Sequence, residues 1–335
     1  MIRYSIIIVN YKTPQLVNNC IASIYDGSAL DLIEIIVVDN HSNDGSEQMV
    51  TAKYPKISWI NMGYNSGFAR ANNAGIKAAK GAIVLLLNSD TLNKGDAIAT
   101  CFERFEKDNN VAAGVQLLNE DGSPQISGNY VLTGGLNYLM ALPYLGRWIR
   151  AVGLSSGVQK TNIANATSTV SVDWINGAFL MVKISAIEKA GLLDEDFFLY
   201  SEEAEWCSRL KKAGSLVIYG DLHVMHLEGG SSAAAYQSVT KGYQNLADRK
   251  GYQIMLSNFV RFRKEFGLFW YLFHLSANIF TIPVYFLVLL FKSLLMKKGI
   301  AAEWKFWKGY SGNVLKSLRY IFIIALDKPH FYKVL

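Results

Sequence analysis

Acidic and amide side chains follow several short apolar runs of this sequence, and they are the residues best suited to chemistry. The clearest example is Val84 to Thr91, where an apolar run leads directly into Asn88, Ser89 and Asp90. Such a run is typical of a buried strand that ends at the edge of an open α/β sheet, where ligands bind. One carboxylate and one amide at that edge suit a hydroxylated ligand together with a hard metal ion. The same residues also fit a strand followed by an ordinary Asx turn, and this stretch alone does not choose between the two interpretations.

Three glutamates near the start of a predicted helix form a second group of candidates. Glu202, Glu203 and Glu205 follow an acidic and aromatic stretch, Leu192 to Tyr200. Acids in a first helical turn are commonly solvated and inert, since the helix dipole favours them there. The aromatic neighbours favour a second interpretation, because a carboxylate beside apolar rings can have a raised pKa and act as a general base.

His226 is the imidazole most relevant to a metal or phosphate site. The sequence predicts a polar, glycine-rich loop from His223 to Ser232, which also contains Glu228. A lone histidine in such a loop is more often part of a capped turn than a ligand, and the spacing to His223 is weak support for a metal. Near a carboxylate such as Asp90, however, the imidazole could share a divalent ion or contact a phosphate.

Alternating strands and helices are predicted to position these residues, so the fold class is α/β. A strand at 5–9, a helix from Thr13-Pro14 to about Tyr25 and a strand at 34–38 make a βαβ unit. Further predicted elements are a strand at 57–61, a helix at 68–80, a strand at 83–87, a helix at 95–107, a strand at 111–118, an interrupted strand at 171–182, a helix from about 202 to 213 and a strand at 216–219. Residues 126–169 are predicted to be a long loop with short helices, either a substrate lid or an insertion without a catalytic part.

Composition limits the class of protein and its partners. The chain has 335 residues, and 18% of them are charged, which is below the level of roughly 25% that is usual for globular proteins. The net charge of +6 fits nucleic acid, anionic lipid or an anionic substrate. The three cysteines form no C-x-x-C motif, which argues against a disulfide framework or a zinc knuckle and for a reducing compartment. The start of the chain is predicted to be a strand and not a signal peptide.

A glycine- and amide-rich stretch, Gly63 to Gly75, could bind phosphate at a helix start, or it could be an ordinary turn and cap. It contains neither GK[ST] nor G-x-G-x-x-G, which argues against a dinucleotide-dependent oxidoreductase. Nucleotidyl transfer would require a basic glycine-rich loop near residue 10, and VNYKTPQ is not one.

The C-terminal region is predicted to associate with a membrane. Leu268 to Phe291 contains no charged residue, is interrupted by Pro283 and has basic residues on both sides. Basic flanks on both sides disfavour a single crossing and favour a broken, re-entrant or interfacial hairpin. Glu303 to Tyr310 mixes Trp, Phe and Lys as an interfacial helix does. The alternative to membrane association is a buried helical pair. The sequence also predicts two domains, at 1–260 and 261–335.

Seven motifs, in order along the chain, resemble those of the family-2 glycosyltransferases of the GT-A fold. Within this family, the chain is most similar to the bacterial rhamnosyltransferase-like branch. The motifs are VNY, VVDNHSNDGS, NSGFARANNAGI, LLLNSDT, WINGAFLMV, LDEDFFLYSEEAEWCSRLKKAG and VMHLEGGSS. The resemblance covers residues 4 to about 232. It implies a GT-A sheet flanked by helices, with a C-terminal helical appendage.

The resemblance also implies roles for individual residues. Asn88-Ser89-Asp90 stands where the family has its D-x-D motif, so Asn88 would face the ribose and Asp90 the metal. Glu203 matches the second acid of the family's Glu-Asp pair, the catalytic base, although here it is one methylene longer. The other implied positions are Val9, Asn10, Tyr11, Asp39 and Asn65 around the nucleotide, Trp174, Asn176, Gly177, Glu202 and Glu205 on the acceptor side, and His226 at the metal or diphosphate.

The implied activity is an inverting, Mg²⁺- or Mn²⁺-dependent hexosyl transfer. The donor would be a dTDP- or UDP-sugar, with L-rhamnose from dTDP-rhamnose suggested by the branch. The acceptor would be a lipid-linked saccharide of a cell-surface polysaccharide, met at the cytoplasmic face of the bacterial inner membrane by a peripheral or monotopic enzyme. The main rival is an inactive, membrane-tethered scaffold that binds sugar nucleotides. Basic residues beside the apolar tail point to lipid and not to nucleic acid.

Overall fold

The computed structural model describes residues 2–27, 30–131, 136–157, 160–227, 245–295 and 300–334. The chain divides into two compact units, the first formed by residues 1–132, 161–198 and 202–237 and the second by residues 133–160, 199–201 and 238–335. The division expected after residue 260 therefore differs from the observed one. Part of the central segment and the helix that ends at Arg261 group with the C-terminal region.

Most strands of the first unit form one mixed sheet. Its described strands follow the order β3-β2-β1-β4-β11-β6-β12-β5, with β9 also paired to β12, and β7, β8 and β10 form a small second sheet. Strands β3, β2, β1 and β4 are parallel, and β11 runs antiparallel between β4 and β6. The strands are β1 (Tyr4–Asn10), β2 (Ile33–Asp39), β3 (Ser58–Asn61), β4 (Ile83–Asn88), β5 (Thr91–Asn93), β6 (Ala112–Leu118), β7 (Gly128–Asn129), β8 (Asn162–Ile163), β9 (Thr169–Val172), β10 (Trp174–Ile175), β11 (Phe179–Lys183) and β12 (Leu216–His226).

Helices cover both faces of this sheet, as the predicted α/β class requires. Ile6 and Ile8 of β1 pack into one core, while Ile7, on the opposite face, packs into the other. Burying such a side chain contributes about 1.5–3 kcal/mol, so the alternation holds a helix layer on each side. The α-helices of the described residues are α1 (Pro14–Tyr25), α2 (Ser46–Lys53), α3 (Gly67–Ala78), α4 (Ala97–Lys107), α5 (Leu145–Ser155), α6 (Ile184–Ala190), α7 (Glu202–Ala213), α8 (Arg249–Arg261), α9 (Leu268–Leu295), α10 (Ala301–Ser317) and α11 (Ile321–Ala325).

The prediction of a loop from His223 to Ser232 is wrong for its first four residues. Strand β12 continues to His226, because after a register shift between Tyr219 and His223 it pairs again with β6 and also with β5, where His226 lies opposite Thr91. Backbone pairing therefore fixes His226 in a strand. Glu228 and the rest of the predicted loop lie outside the described residues.

The central segment, 126–169, contains short helices, as predicted, and also short strands, which were not predicted. Its ends carry β7 and β8 in the first unit, and its middle carries a 3-10 helix, Leu136–Ala141, and α5 in the second. Two tyrosines explain this grouping. The hydroxyl of Tyr138 accepts a hydrogen bond from buried Arg261, and that of Tyr144 donates to Glu303. A lid function for this segment stays a prediction.

Helix α9 of the second unit is continuous through Pro283, so the predicted break at that residue is wrong. Proline removes one hydrogen bond from a helix, and contacts with α10 hold this part of α9, for example through Trp307, whose indole donates to the carbonyl of Ile282, next to Pro283. Within the described residues, α9 is the one helix long and apolar enough to cross a bilayer.

Helix α9 has hydrogen-bonding residues on its buried side and apolar residues on its exposed side, which is the reverse of a helix in a water-soluble protein. Its buried side carries hydrogen-bonding residues, and Tyr310 of α10 donates to the Asn278 side chain at 2.9 Å. Its exposed side is apolar, and Phe269 and Leu294 are 72% and 77% exposed. The buried side consists of Tyr271, His274, Leu275, Asn278, Thr281, Tyr285 and Leu289.

Candidate active site

The carboxyl ends of β1, β2 and β4 bring the predicted nucleotide-binding residues together. In the parallel register Asn10 lies beside Asp39, and Val9 lies beside Asn88. In the sheet, β2 and then β3 lie on one side of β1, and β4 lies on the other side. Ligands of open α/β sheets bind where the strand order reverses in this way, so these side chains line the expected crevice.

Asp39 is buried and held by three hydrogen bonds. Asn10 Nδ2 donates to Asp39 Oδ1 at 2.7 Å, and Ser42 contributes its hydroxyl to Oδ1 at 2.5 Å and its backbone N–H to Oδ2 at 2.9 Å. Thr13 in turn donates to Asn10 Oδ1 at 3.1 Å. These bonds fix the orientation of the Asp39 carboxylate before any ligand binds, and Ser42 and Thr13 are supporting residues that the sequence did not identify.

The glycine-rich turn before α3 is tied to the same edge of the sheet. Asn40 donates to the Gly67 carbonyl at 2.9 Å and accepts from the Ser66 hydroxyl at 2.5 Å. Asn65 is partly exposed and accepts from the Gly67 N–H at 3.2 Å. Asn65 therefore shapes the turn, and its predicted place near the nucleotide stays a prediction.

Gly67→Ala is expected to lower the free energy of unfolding by about 2–5 kcal/mol. Gly67 has a φ of +75°, and an added Cβ would stand 2.2 Å from the Phe198 carbonyl oxygen. Gly63→Ala is the control, because Gly63 has a φ of +72° but nothing within 4 Å of an added Cβ. The control should lose only about 1 kcal/mol. Equal losses in denaturant titrations of the two variants would contradict the steric argument.

Asp90 and His226 meet at the junction of β4, β5 and β12. Both side chains are buried, and His226 Nε2 lies 3.4 Å from Asp90 Oδ1. The other ring nitrogen, Nδ1, lies 3.0 Å from Gln125 Oε1, while Gln125 Nε2 donates to the His226 carbonyl at 2.7 Å. Because Gln125 offers an oxygen, Nδ1 carries the proton, and in the neutral ring the Nε2 lone pair faces Asp90.

This pair fits a divalent cation. Asp90 Oδ1 is buried and makes no hydrogen bond within the described residues, an arrangement that a carboxylate ligand to a metal would have. A carboxylate oxygen and an imidazole nitrogen are both ligands for Mn²⁺. The described residues contain no cluster of three or more His, Cys, Asp or Glu side chains that could hold a metal. The remaining ligands would therefore come from elsewhere, such as phosphate oxygens or water.

Among the three glutamates of α7 named above, Glu203 is partly exposed, and it lies against Gly177. A Cβ at Gly177 would stand 3.3 Å from Glu203 Cγ, so the absent side chain leaves room for the glutamate. Asn176 accepts from the Ala178 N–H at 3.0 Å, and the Ala178 carbonyl accepts from the Asn88 N–H at 3.1 Å. The loop from Asn176 to Ala178 thus links the end of β4 to Glu203.

The other two glutamates differ from Glu203 in burial. Glu202 is buried, and Glu205 is buried with both carboxylate oxygens engaged by Arg209, each at 2.7 Å. Arg209 also donates to the Ala190 carbonyl at 2.5 Å, which ties α7 to the end of α6. Glu205 therefore braces the helix that carries Glu203, and its predicted contact with an acceptor stays a prediction.

Of the remaining predicted residues, Val9, Tyr11 and Ser89 lie at or just after the ends of β1 and β4, and Trp174 lies in β10 of the small sheet. Val9, Tyr11 and Trp174 are partly exposed, and Lys12 stands 5.5 Å from the centre of the Tyr11 ring. Ser89 is buried, and its hydroxyl lies 3.5 Å from that of Thr13. Their roles toward a ligand stay predictions.

Comparison with known proteins finds a family match over part of the chain. Residues 5–145 match the model of glycosyl transferase family 2. The low-salt glycan biosynthesis hexosyltransferase Agl10 of Haloferax volcanii is 30% identical over 62% of this chain, and the match spans 61% of that relative. The N-acetylglucosaminyl-diphospho-decaprenol L-rhamnosyltransferase of Mycobacterium tuberculosis is 27% identical, and the match covers 65% of this chain and 75% of that relative.

A solved structure supports the fold. The mannosyltransferase PcManGT of Pyrobaculum calidifontis, in complex with GDP-Man and Mn²⁺, superposes with a TM-score of 0.55 over 97% of this chain and 88% of its own. At 15% identity this likeness shows the fold alone. The matched segment, residues 5–145, is therefore a glycosyl transferase family 2 domain, and the mixed sheet that contains it has the GT-A fold.

Proposed function

We propose that this enzyme is an inverting, divalent-metal-dependent hexosyltransferase that acts on a lipid-linked saccharide. The observation that carries the proposal is the convergence of two groups at one sheet edge. Asn10 and Asp39 are paired at the ends of β1 and β2, and Asp90 and His226 are paired at the end of β4. The first pair suits a nucleoside, and the second suits the diphosphate that follows it in a sugar nucleotide.

The donor would lie along this edge with its sugar toward Glu203. Asp39 would accept a hydrogen bond from the nucleobase, and Asn88 would hydrogen-bond the ribose. When bound at Asp90 and His226, a divalent cation would neutralise charge on the departing diphosphate. We propose a dTDP- or UDP-sugar, with dTDP-L-rhamnose as the first candidate, because one curated relative is named an L-rhamnosyltransferase.

Glu203 would act as the general base. Its carboxylate would take the proton of the acceptor hydroxyl while that oxygen bonds to the anomeric carbon. The bond from this carbon to the diphosphate oxygen would break on the opposite side, so the configuration would invert and the nucleoside diphosphate would leave. Gly177 supports this role, since the absence of a side chain there leaves space beside Glu203.

The acceptor would be presented at the cytoplasmic surface of the membrane. The exposed apolar side of α9 supports this location, because large apolar patches on a protein surface mark contacts with lipid or protein. The relative from Mycobacterium tuberculosis bears the name of a diphospho-decaprenol derivative, which is a lipid-linked saccharide.

A thermal-shift screen of sugar nucleotides with and without Mn²⁺ tests the donor class. A ligand that binds only the folded state at 100 times its Kd adds about 2.7 kcal/mol to stability. We expect one dTDP- or UDP-sugar to raise the Tm, and the rise to be larger with Mn²⁺. If no sugar nucleotide raises the Tm, the proposal fails and the inactive scaffold becomes the better interpretation.

A further inference from the structure

Helix α5 lies in the central segment whose function the sequence left open, and it is almost entirely exposed. Gly146 is its one buried residue, and an added Cβ there would stand 2.2 Å from the Met140 carbonyl oxygen. This contact packs the start of α5 on the 3-10 helix Leu136–Ala141. Most of the helix therefore faces away from its own unit.

The exposed surface of α5 carries an apolar stripe. Leu145, Trp148, Ile149 and Val152 have the i, i+3, i+4, i+7 spacing that places side chains on one helix face. Trp148 is 73% exposed and Val152 is 62% exposed. Leaving these side chains in water forgoes the stabilisation of about 1.5–3 kcal/mol that burial of a large apolar side chain gives.

Cations accompany the stripe. Arg147 and Arg150 of α5 are exposed on the helix face opposite the stripe, and Lys305 and Lys308 of α10 are exposed as well. An apolar face that includes Trp and a polar face that carries Arg are the composition of helices that lie in the interface of anionic bilayers.

A polar cluster fixes where α5 begins. Tyr144 donates to Glu303, and Lys292 Nζ lies 2.8 Å from the Tyr144 hydroxyl and 3.0 Å from Glu303 Oε2. The hydrogen bond from Tyr144 and the charge of Lys292 hold the pKa of the Glu303 carboxyl below its usual range. Lys292 is in the last turn of α9 and Glu303 in the first turn of α10, so α5 starts beside the end of α9.

That end of α9 is apolar and exposed. Phe291, Leu294 and Leu295 are 63%, 77% and 68% exposed. The start of α5 and the end of α9 therefore belong to one region of the second unit, where Lys292 contacts Tyr144.

We propose that α5 is a second membrane-binding helix, whose stripe of Leu145, Trp148, Ile149 and Val152 inserts into the interface of an anionic lipid bilayer beside the end of α9. This inference rests on the membrane location given under Proposed function. It assigns part of the central segment to lipid binding, so that two separate parts of the chain hold the second unit on the membrane.

Flotation of the full chain with lipid vesicles tests the inference. Vesicles of phosphatidylglycerol and phosphatidylethanolamine are compared with neutral phosphatidylcholine vesicles. The double variant Trp148→Glu/Val152→Glu should bind anionic vesicles at least about 10-fold more weakly than the wild type. Leu154→Glu is the matched control, because Leu154 is 56% exposed on the same helix but lies off the stripe. Its binding should change less than about twofold.

A fluorescent label gives a readout that does not depend on charge substitutions. The native cysteines Cys20, Cys101 and Cys207 are buried, and burial raises the pKa of the Cys20 and Cys101 thiols, so they should resist labelling. An environment-sensitive dye on Val152→Cys should shift to the blue when anionic vesicles are added, and the same dye on Leu154→Cys should shift much less.

The outcomes separate this inference from the proposed function. If the wild type floats with vesicles but the double variant floats equally well and the Val152→Cys label does not shift, the role of α5 is wrong and the membrane location stands. If the wild type does not float with any vesicle, both the role of α5 and the membrane location are wrong. Donor binding in the thermal-shift screen is measured without lipid and reports on the glycosyltransferase site separately.

Discussion

Glu203→Gln should lower kcat by about 10²–10⁴-fold, the usual contribution of a general base. The amide has nearly the shape of the carboxylate but cannot take the acceptor proton. Donor affinity should stay within about twofold of the wild type, because the base acts on the acceptor during reaction and not on the bound nucleotide. Single-turnover rates with saturating donor, together with calorimetric donor affinity, measure the two quantities separately.

Two further variants make this test specific. Glu203→Asp restores the shorter acid of the family motif and should keep far more activity than Glu203→Gln. Glu205→Gln removes the charge that pairs with Arg209, so it should lower stability along with activity. Near wild-type turnover of Glu203→Gln with bound donor would show that another group is the base.

Asp90→Asn should abolish the dependence of donor binding on Mn²⁺. The substitution keeps the size of the side chain and removes the negative charge of a buried oxygen that makes no hydrogen bond within the described residues. We expect the affinity for the matching nucleoside diphosphate in Mn²⁺ to fall by about 100-fold. Without metal the affinities of variant and wild type should be similar. Calorimetry in the two conditions measures the difference, and electron paramagnetic resonance of Mn²⁺ measures the bound ion directly.

Asp96→Asn is the control for charge, because Asp96 is an exposed aspartate beyond the end of β5. It should bind Mn²⁺ and nucleotide as the wild type does. His226→Gln should weaken Mn²⁺ binding less than Asp90→Asn, since it removes a neutral ligand. A Mn²⁺ effect that survives in Asp90→Asn would place the cation elsewhere.

The ends of the parallel strands could be predicted from sequence because short apolar runs that stop at polar residues are typical of buried strands ending at a sheet edge. Asn10, Asp39 and Asn88 each follow such a run, and parallel pairing places them at one edge. The βαβ order also predicted that neighbouring strand ends would meet. Local pattern and topology were therefore sufficient for this part of the candidate site.

Contacts between distant residues could not be predicted in the same way. Gln125 holds His226 across 101 positions of sequence, and no local pattern marks a glutamine for that role. The extension of β12 to His226 depends on pairing with both β6 and β5, which overrides the glycine-rich sequence that follows. Helix α2 was missed because only Ser46 and Val50 are buried, so it has no apolar stripe.

The structure of the C-terminal region also depends on contacts between residues that are distant in sequence. The sequence predicted the apolar character of α9 correctly, and its association with a membrane stays a prediction. The predicted break at Pro283 is wrong. Helix α9 continues through that residue and packs against α10. The grouping of Tyr138 and Tyr144 with these helices likewise depends on contacts more than 100 positions apart.

The reversed sides of α9 have a consequence for how this region can vary among homologues. In a water-soluble helix the apolar positions are the constrained ones. In α9 the exposed apolar side chains, such as Phe269 and Leu294, can be exchanged for one another with little change in packing. The interior positions Asn278, Thr281 and Tyr285 carry specific hydrogen bonds or close contacts. Polar residues should therefore be the slowly evolving positions of this helix, and apolar residues the rapidly evolving ones.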